Sequence, residues 1–152
     1  MSDPEAPVSL PSKWPPLVAT VVALLGIADA AYLTVHHYTA EPVPCSLIEG
    51  CEMVLTSPYA TLGGIPVALF GVVAYFVAFS LALLTVYGDR RMWMLFGIHT
   101  AIMAGFSVWF IYVQAALIGW FCQFCLISAG LSFTLFIIFV LSKLVGRKVR
   151  PS

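Results

Sequence analysis

Four cysteines carry the chemistry open to this chain. Cys45 and Cys51 share one polar segment, and Cys122 and Cys125 open a long apolar run. Two closely spaced pairs, each at the edge of a membrane-length stretch, point to thiol–disulfide exchange at a bilayer surface. Cys122-Gln123-Phe124-Cys125 is a C-x-x-C at the start of a predicted helix. Residues three apart share a helix face, so the two sulfurs can meet. The positive end of the helix dipole favours a thiolate there, whereas apolar surroundings oppose it. Cys45 and Cys51 form a loop pair with two readings: a static disulfide that pins the loop, and a mobile shuttle that meets an outside dithiol and then the helix pair. A four-thiolate zinc site is a third reading. Structural zinc sites form compact knuckles, and here one pair begins a membrane helix, so no metal is expected.

The elements that must position these sulfurs are apolar helices. The chain has 152 residues, 61% of them hydrophobic and 9% charged, against about 25% charged in soluble domains. Residues 65–87, 92–120 and 121–142 contain no charge, and residues 17–35 contain only Asp29. Each run approaches or exceeds the roughly 20 residues that cross a hydrocarbon core as a helix. The runs are continuous rather than alternating, which excludes a membrane β-barrel. A net charge of zero leaves nothing to attract nucleic acid.

The expected fold class is therefore an all-α membrane protein: a four-transmembrane-helix bundle, with an exoplasmic loop and a short helix between helices one and two. The spans predicted are about Pro16–His37, Pro66–Tyr87, Met92–Ile118 and Phe121–Leu144, with a short helix at Pro58–Leu62 capped by Ser57. Gly119-Trp120 is the only break between the last two spans. Residues 1–14 read as a cytosolic tail, 15–145 as the membrane domain and 146–152 as a basic cytosolic tail. Trp109 and Tyr112 read as packing residues within the bundle.

Charge placement orients the bundle. Lys13 precedes the first run, Arg90 and Arg91 lie between the second and third, and Lys143, Arg147, Lys148 and Arg150 follow the last. The segment 37–64 has no Lys or Arg and carries Glu41, Glu49 and Glu52. The positive-inside rule then puts both termini in the cytosol and both cysteine pairs on the exoplasmic side of the cell membrane. Disulfides persist on that side.

Taken together, Cys45-x5-Cys51, Ser57 six residues on, the Gly-Gly-Ile-Pro stretch with Phe70-Gly71, and Phe-Cys-Gln-Phe-Cys at 121–125 resemble the bacterial-type vitamin K epoxide reductase family, as a stand-alone membrane domain spanning about residues 17–145. The resemblance implies a four-helix bundle around a quinone, with disulfide formation in a thioredoxin-like partner coupled to quinone reduction. It implies that Cys45 exchanges with the partner, that Cys51 passes electrons to Cys122, that Cys125 faces the quinone, and that Ser57 lies beside the quinone and hydrogen-bonds it. The partner is expected to be a separate exoplasmic protein, since many bacterial relatives carry a fused thioredoxin-like domain and this chain stops at Ser152. Animal members place an asparagine and a tyrosine in the quinone pocket where this chain has Val67 and Ala129. The expected acceptor is therefore a respiratory quinone of the ubiquinone or menaquinone type rather than vitamin K epoxide.

Two functions of other classes compete. One is a transmembrane carrier of reducing equivalents, which needs cysteines reachable from the cytosol. The other is a structural membrane protein with static disulfides. Polar residues inside the spans complete the candidate set. Asp29 shares a helical face with Tyr32 and His36. An interhelical hydrogen bond is its expected role, ahead of a proton route. His99 is expected to pack far from the cysteines with one hydrogen bond. Gln114 and Gln123 are expected to satisfy helix ends.

Overall fold

The computed structural model describes residues 13–148. The tail readings for residues 1–12 and 149–152 lie outside the described residues. Four helices long and apolar enough to cross a membrane dominate the fold, as expected for an all-α multi-pass membrane protein.

The first helix, α1 (Trp14–Thr39), carries proline in its first turn, where the missing N–H would have had no intrahelical partner. It ends at Ala40, whose φ of 54° breaks the helical path. One face of α1 is lined by Ala19, Ala23, Gly26 and Ala30, all buried. These small residues let α1 approach α3 (Val67–Val86) closely, against buried Tyr75, Ala78 and Ala82. Gly26 is where this contact is tightest: a β-carbon there would fall 2.2 Å from the Tyr75 ring. Gly97 of α4 (Arg90–Tyr112) receives the Phe139 ring of α5 (Gln123–Lys148) in the same way, at 2.3 Å. The helices close into a ring in which α1 touches α3 and α5, and α4 touches the same two. Leu24, Val73, Phe76, Ile98 and Ile102 point outward, where lipid takes the place of a partner. Trp109 and Tyr112 are also exposed, at 47% and 59%. They face outward and do not pack inside the bundle; Ser107, Val113 and Gln114 are the buried residues nearest them in sequence.

The segment between α1 and α3 is more structured than its prolines imply. A short helix, α2 (Cys51–Leu55), begins at the second cysteine itself. The helix expected at 58–62 shrinks to a 3-10 turn over Pro58–Ala60. Its last two residues instead form a minimal hairpin, β1 (Thr61–Leu62) pairing antiparallel with β2 (Ile65–Pro66). Gly63 and Gly64 make that turn with φ of 61° and 82°, the left-handed pair a two-residue hairpin requires. Ser57 does not cap the 3-10 turn through its side chain; its hydroxyl donates back to the Val54 carbonyl at 2.7 Å.

The junction of the last two spans also departs from expectation. After Tyr112 the helix widens into a π-helical segment, Val113–Ile118, closed by Gly119 N–H donating to the Gln114 carbonyl at 2.8 Å. Gly119 has φ of 76° and ends it. Residues 119–122 are not helical, so α5 starts at Gln123 rather than Phe121. It continues to Lys148, past the tail boundary drawn at 146. Since successive spans alternate in direction, the end of α1, the α2 segment, the start of α3, the π-helical segment and the start of α5 converge at one end. Lys13, Arg90, Arg91 and Arg147 lie at the other.

Candidate functional site

All four cysteines meet at that converging end. Cys45 and Cys51 are joined as a disulfide with Cα atoms 6.3 Å apart, while Cys122 and Cys125 are free thiols. Cys51 and Cys122 are both buried and share one apolar cluster with Leu33, Val43 and Val54, against which Cys45 and Cys125 also pack. The two pairs are thus stacked, the inner member of the loop pair over the first member of the helix pair. Cys45 is the more exposed of the disulfide partners.

Backbone contacts hold the stack. Gly50, just before Cys51, has no room for a side chain: a β-carbon would lie 2.5 Å from the carbonyl oxygen of Phe121, just before Cys122. The loop is further tied by Leu47 N–H, which donates to Gln123 Oε1 at 3.0 Å. Gln123, expected only to satisfy a helix end, instead links the interior of the C-x-x-C to the other cysteine loop. Glu52 Oε1 accepts from Val43 N–H at 3.1 Å and fixes the chain on the far side of Cys45.

Cys122 occupies the residue just before α5, and its carbonyl accepts the first helical bond, from Leu126 N–H at 3.0 Å. Its sulfur accepts from Cys125 N–H at 3.4 Å. This is the contact that a serine or threonine oxygen makes when it caps a helix, here made by sulfur. A bond from the Cys125 thiol, then the N–H groups of Cys125 and Phe124, hold the Cys122 thiol below its ordinary range; burial and the charge of Asp29 oppose them. Cys122 N–H donates to Gln114 Oε1 at 2.8 Å. Gln114 therefore satisfies a helix start, as expected of it.

Below the cysteines a cavity of about 290 Å³ runs between the helices. Cys125, Gln114, Leu33 and Val54 line its cysteine end, and Ala74, Tyr75, His99 and Ser132 line its deeper part. His99 Nε2 donates to the Ala74 carbonyl at 2.8 Å, the one hydrogen bond expected of it, yet it also borders the cavity that reaches Cys125. Sequence reasoning missed the Tyr75 hydroxyl, which bonds Ser128 and Ser132 of α5 and joins α3 to the helix that carries Cys125. Val67 and Ala129 both line the cavity.

Two candidates lie outside the lining of this cavity. Ser57, expected beside the quinone, lines an adjoining hollow with His36, Glu52 and Thr61, which shares His37 and Leu55 with the cavity, and its hydroxyl donates to the Val54 carbonyl. Asp29 does not form the interhelical hydrogen bond expected of it: its buried Oδ2 has no partner among the described residues. Tyr32, on the same face, packs on His36 and on Phe124 between the helix cysteines, with ring centroids 4.4 and 5.2 Å away. Among the described residues no cluster of His, Cys, Asp and Glu has the arrangement of a metal site.

Residues 17–140 match the vitamin K epoxide reductase family, a stretch that takes in all four cysteines and the cavity. The chain belongs to that family. It is also 38% identical over 122 residues to the thiol-disulfide oxidoreductase LTO1 of Arabidopsis thaliana, a match covering 74% of this chain and 32% of that protein. The chain thus spans about a third of the length of the curated relative it matches. The matched family region runs from the first turns of α1 to the last turns of α5, so the family's shared part is the whole four-helix body.

Proposed function

We propose that this chain is a thiol–disulfide oxidoreductase that reoxidises a thioredoxin-like partner on the exoplasmic side of the cell membrane and passes the electrons to a quinone, so supporting disulfide formation in exported proteins. The observation that carries the reading is the stack itself: a loop disulfide packed over a free C-x-x-C whose second cysteine lines an apolar cavity. Family membership and the oxidoreductase relative support it. The Lys and Arg residues gathered at the far end support the orientation.

The chemistry is two exchanges in series. A partner thiolate attacks Cys45, the more exposed sulfur, and breaks Cys45–Cys51. The partner's second thiol resolves the mixed disulfide, leaving the partner oxidised and both loop cysteines as thiols. The Cys51 thiolate then attacks Cys122 of an oxidised Cys122–Cys125 pair and releases Cys125 as a thiolate. Cys45 attacks Cys51, which restores the loop disulfide and leaves Cys122 and Cys125 reduced. A loop disulfide with free Cys122 and Cys125 is the state reached at this point, and it is the state of the structure. Helix capping and the Cys125 thiol bond favour the Cys122 thiolate, and so make Cys122 a good leaving group when Cys45 attacks Cys51.

The cavity fits a quinone in kind: an apolar body, bounded at one end by a thiol and an amide. When bound, a quinone supplies the terminal oxidant, taking two electrons and two protons as Cys122–Cys125 re-forms. Leu33, Val67, Phe110 and Ala129 would flank it, and Cys125 would face it. Separation of the loop pair from the cavity keeps the partner's thiols away from the quinone.

Quinone absorbance tests this directly. The purified chain in detergent is mixed with a reduced thioredoxin-like protein and a soluble quinone. One quinone should be consumed per partner dithiol. Dithiol oxidation without quinone consumption overturns the acceptor, and no dithiol oxidation at all overturns the function.

A further inference from the structure

Gln114 is fully buried, yet only half of its side chain is satisfied. Its Oε1 accepts from Cys122 N–H, and its backbone carbonyl accepts from Gly119 N–H. The orientation of the amide is not ambiguous: a backbone N–H can only donate, so the oxygen must face Cys122. That leaves the Nε2 amine with two hydrogens and no partner among the described residues. A buried donor without an acceptor costs free energy, and nearly all such groups in folded proteins find one.

The residue also lines the cavity, at the end that holds Cys125. Two polar groups deeper in the cavity are already committed. The Tyr75 hydroxyl is taken up by Ser128 and Ser132, and His99 Nε2 by the Ala74 carbonyl. A molecule suited to this end has an apolar body and one acceptor oxygen near the thiol. A 1,4-quinone has that form. We infer that Gln114 is a quinone-binding residue: its Nε2 donates to one carbonyl oxygen of the quinone, while its Oε1 holds the backbone of Cys122. This rests on the quinone reading above and adds a residue outside the cysteine motif. The consequence is positional and electrostatic. One rigid amide ties the start of the redox helix and the acceptor's oxygen into a single frame. A hydrogen bond also strengthens as negative charge builds on the accepting oxygen, so the amide favours reduction over reoxidation.

The test uses the full chain with all cysteines oxidised, so that nothing turns over, and a 1,4-naphthoquinone as probe. Infrared spectra of the bound probe should contain two carbonyl bands, one shifted to lower frequency by the amide. In Gln114→Met the shifted band should vanish and the Kd should rise about tenfold, the effect of one buried hydrogen bond. Gln114→Glu keeps an oxygen for Cys122 N–H and so guards against a variant that fails to fold. It should bind the probe weakly when ionised and regain affinity as pH falls, when its carboxyl proton replaces the lost donor. A merely structural role would leave both the carbonyl bands and this pH dependence unmoved. Coincident carbonyl bands in the unmodified chain, or unchanged affinity in both variants, overturn the assignment alone. Failure of the unmodified chain to bind the probe overturns the quinone reading and this assignment together.

Discussion

Gly50 and Phe121 lie backbone to backbone, with the space for a Gly50 β-carbon only 2.5 Å from the Phe121 carbonyl oxygen. Each immediately precedes a cysteine. Their contact brings Cys51 of the loop over Cys122 of the helix and makes one centre of two pairs that are far apart in sequence. Gly50→Ala should therefore separate the pairs. The obstacle is backbone, which cannot rotate away, so overpacking of about 1–3 kcal/mol is expected at this contact. In stopped-flow measurements, reduction of Cys122–Cys125 by the loop thiols should slow in Gly50→Ala, while direct reduction by dithiothreitol should not.

Removing the outer loop cysteine should expose the order of the relay. Cys45→Ala leaves Cys51 without its partner and packed beside Cys122. A Cys51–Cys122 disulfide should accumulate, detectable by peptide mapping under non-reducing conditions. A Cys51–Cys125 bridge as the main product would reverse the roles of the two helix cysteines.

The Cys122 thiol is held below its ordinary range chiefly by the bond from Cys125. A lowered pKa means that thiolate persists to lower pH than for a free cysteine, whose pKa is about 8.5. Alkylation of Cys122 by a small reagent should accordingly reach its plateau at lower pH than that of a model thiol. Cys125→Ala removes the donor and should move the profile upward. A profile that stays in place would show that the backbone N–H groups alone hold the thiolate.

Gly26 faces the Tyr75 ring, whose hydroxyl is anchored by Ser128 and Ser132 and so cannot swing aside. Gly26→Val should lower the stability of the bundle by about 1–3 kcal/mol. Gly105→Ala is the control, since no atom lies within 4 Å of a β-carbon there. Thermal unfolding in detergent should fall for the first and hold for the second.

Orientation is open to labelling. An impermeant maleimide added to reduced, sealed cells should reach Cys45. Labelling only after permeabilisation would put the cysteine end in the cytosol and overturn the partner assignment.

Much of this protein is determined locally, and so its sequence alone is enough to read it. Uncharged runs of membrane length must become helices, because no other open structure satisfies its backbone in lipid. Four such runs, with cysteines beside their ends, bring both pairs to one end whatever the details of packing. The capping role of Gln114 was legible for the same reason: a lone amide near the end of an apolar run has few other uses. Other features depend on contacts between distant segments, which a linear reading does not contain. The meeting of Gly50 with Phe121 and of Leu47 with Gln123 is one such feature. The π-helical segment over Val113–Ile118 is another, and it carries the Gln114 side chain that accepts from Cys122 N–H. Ser57 illustrates the converse. Its spacing from Cys51 matched a motif, but only the packed chain shows that α2 begins at Cys51, that the serine hydroxyl turns back on Val54, and that its hollow adjoins the cavity across Leu55. Asp29 was legible as unusual but not as unpartnered, since a hydrogen-bond partner on another helix exists only once the helices are packed.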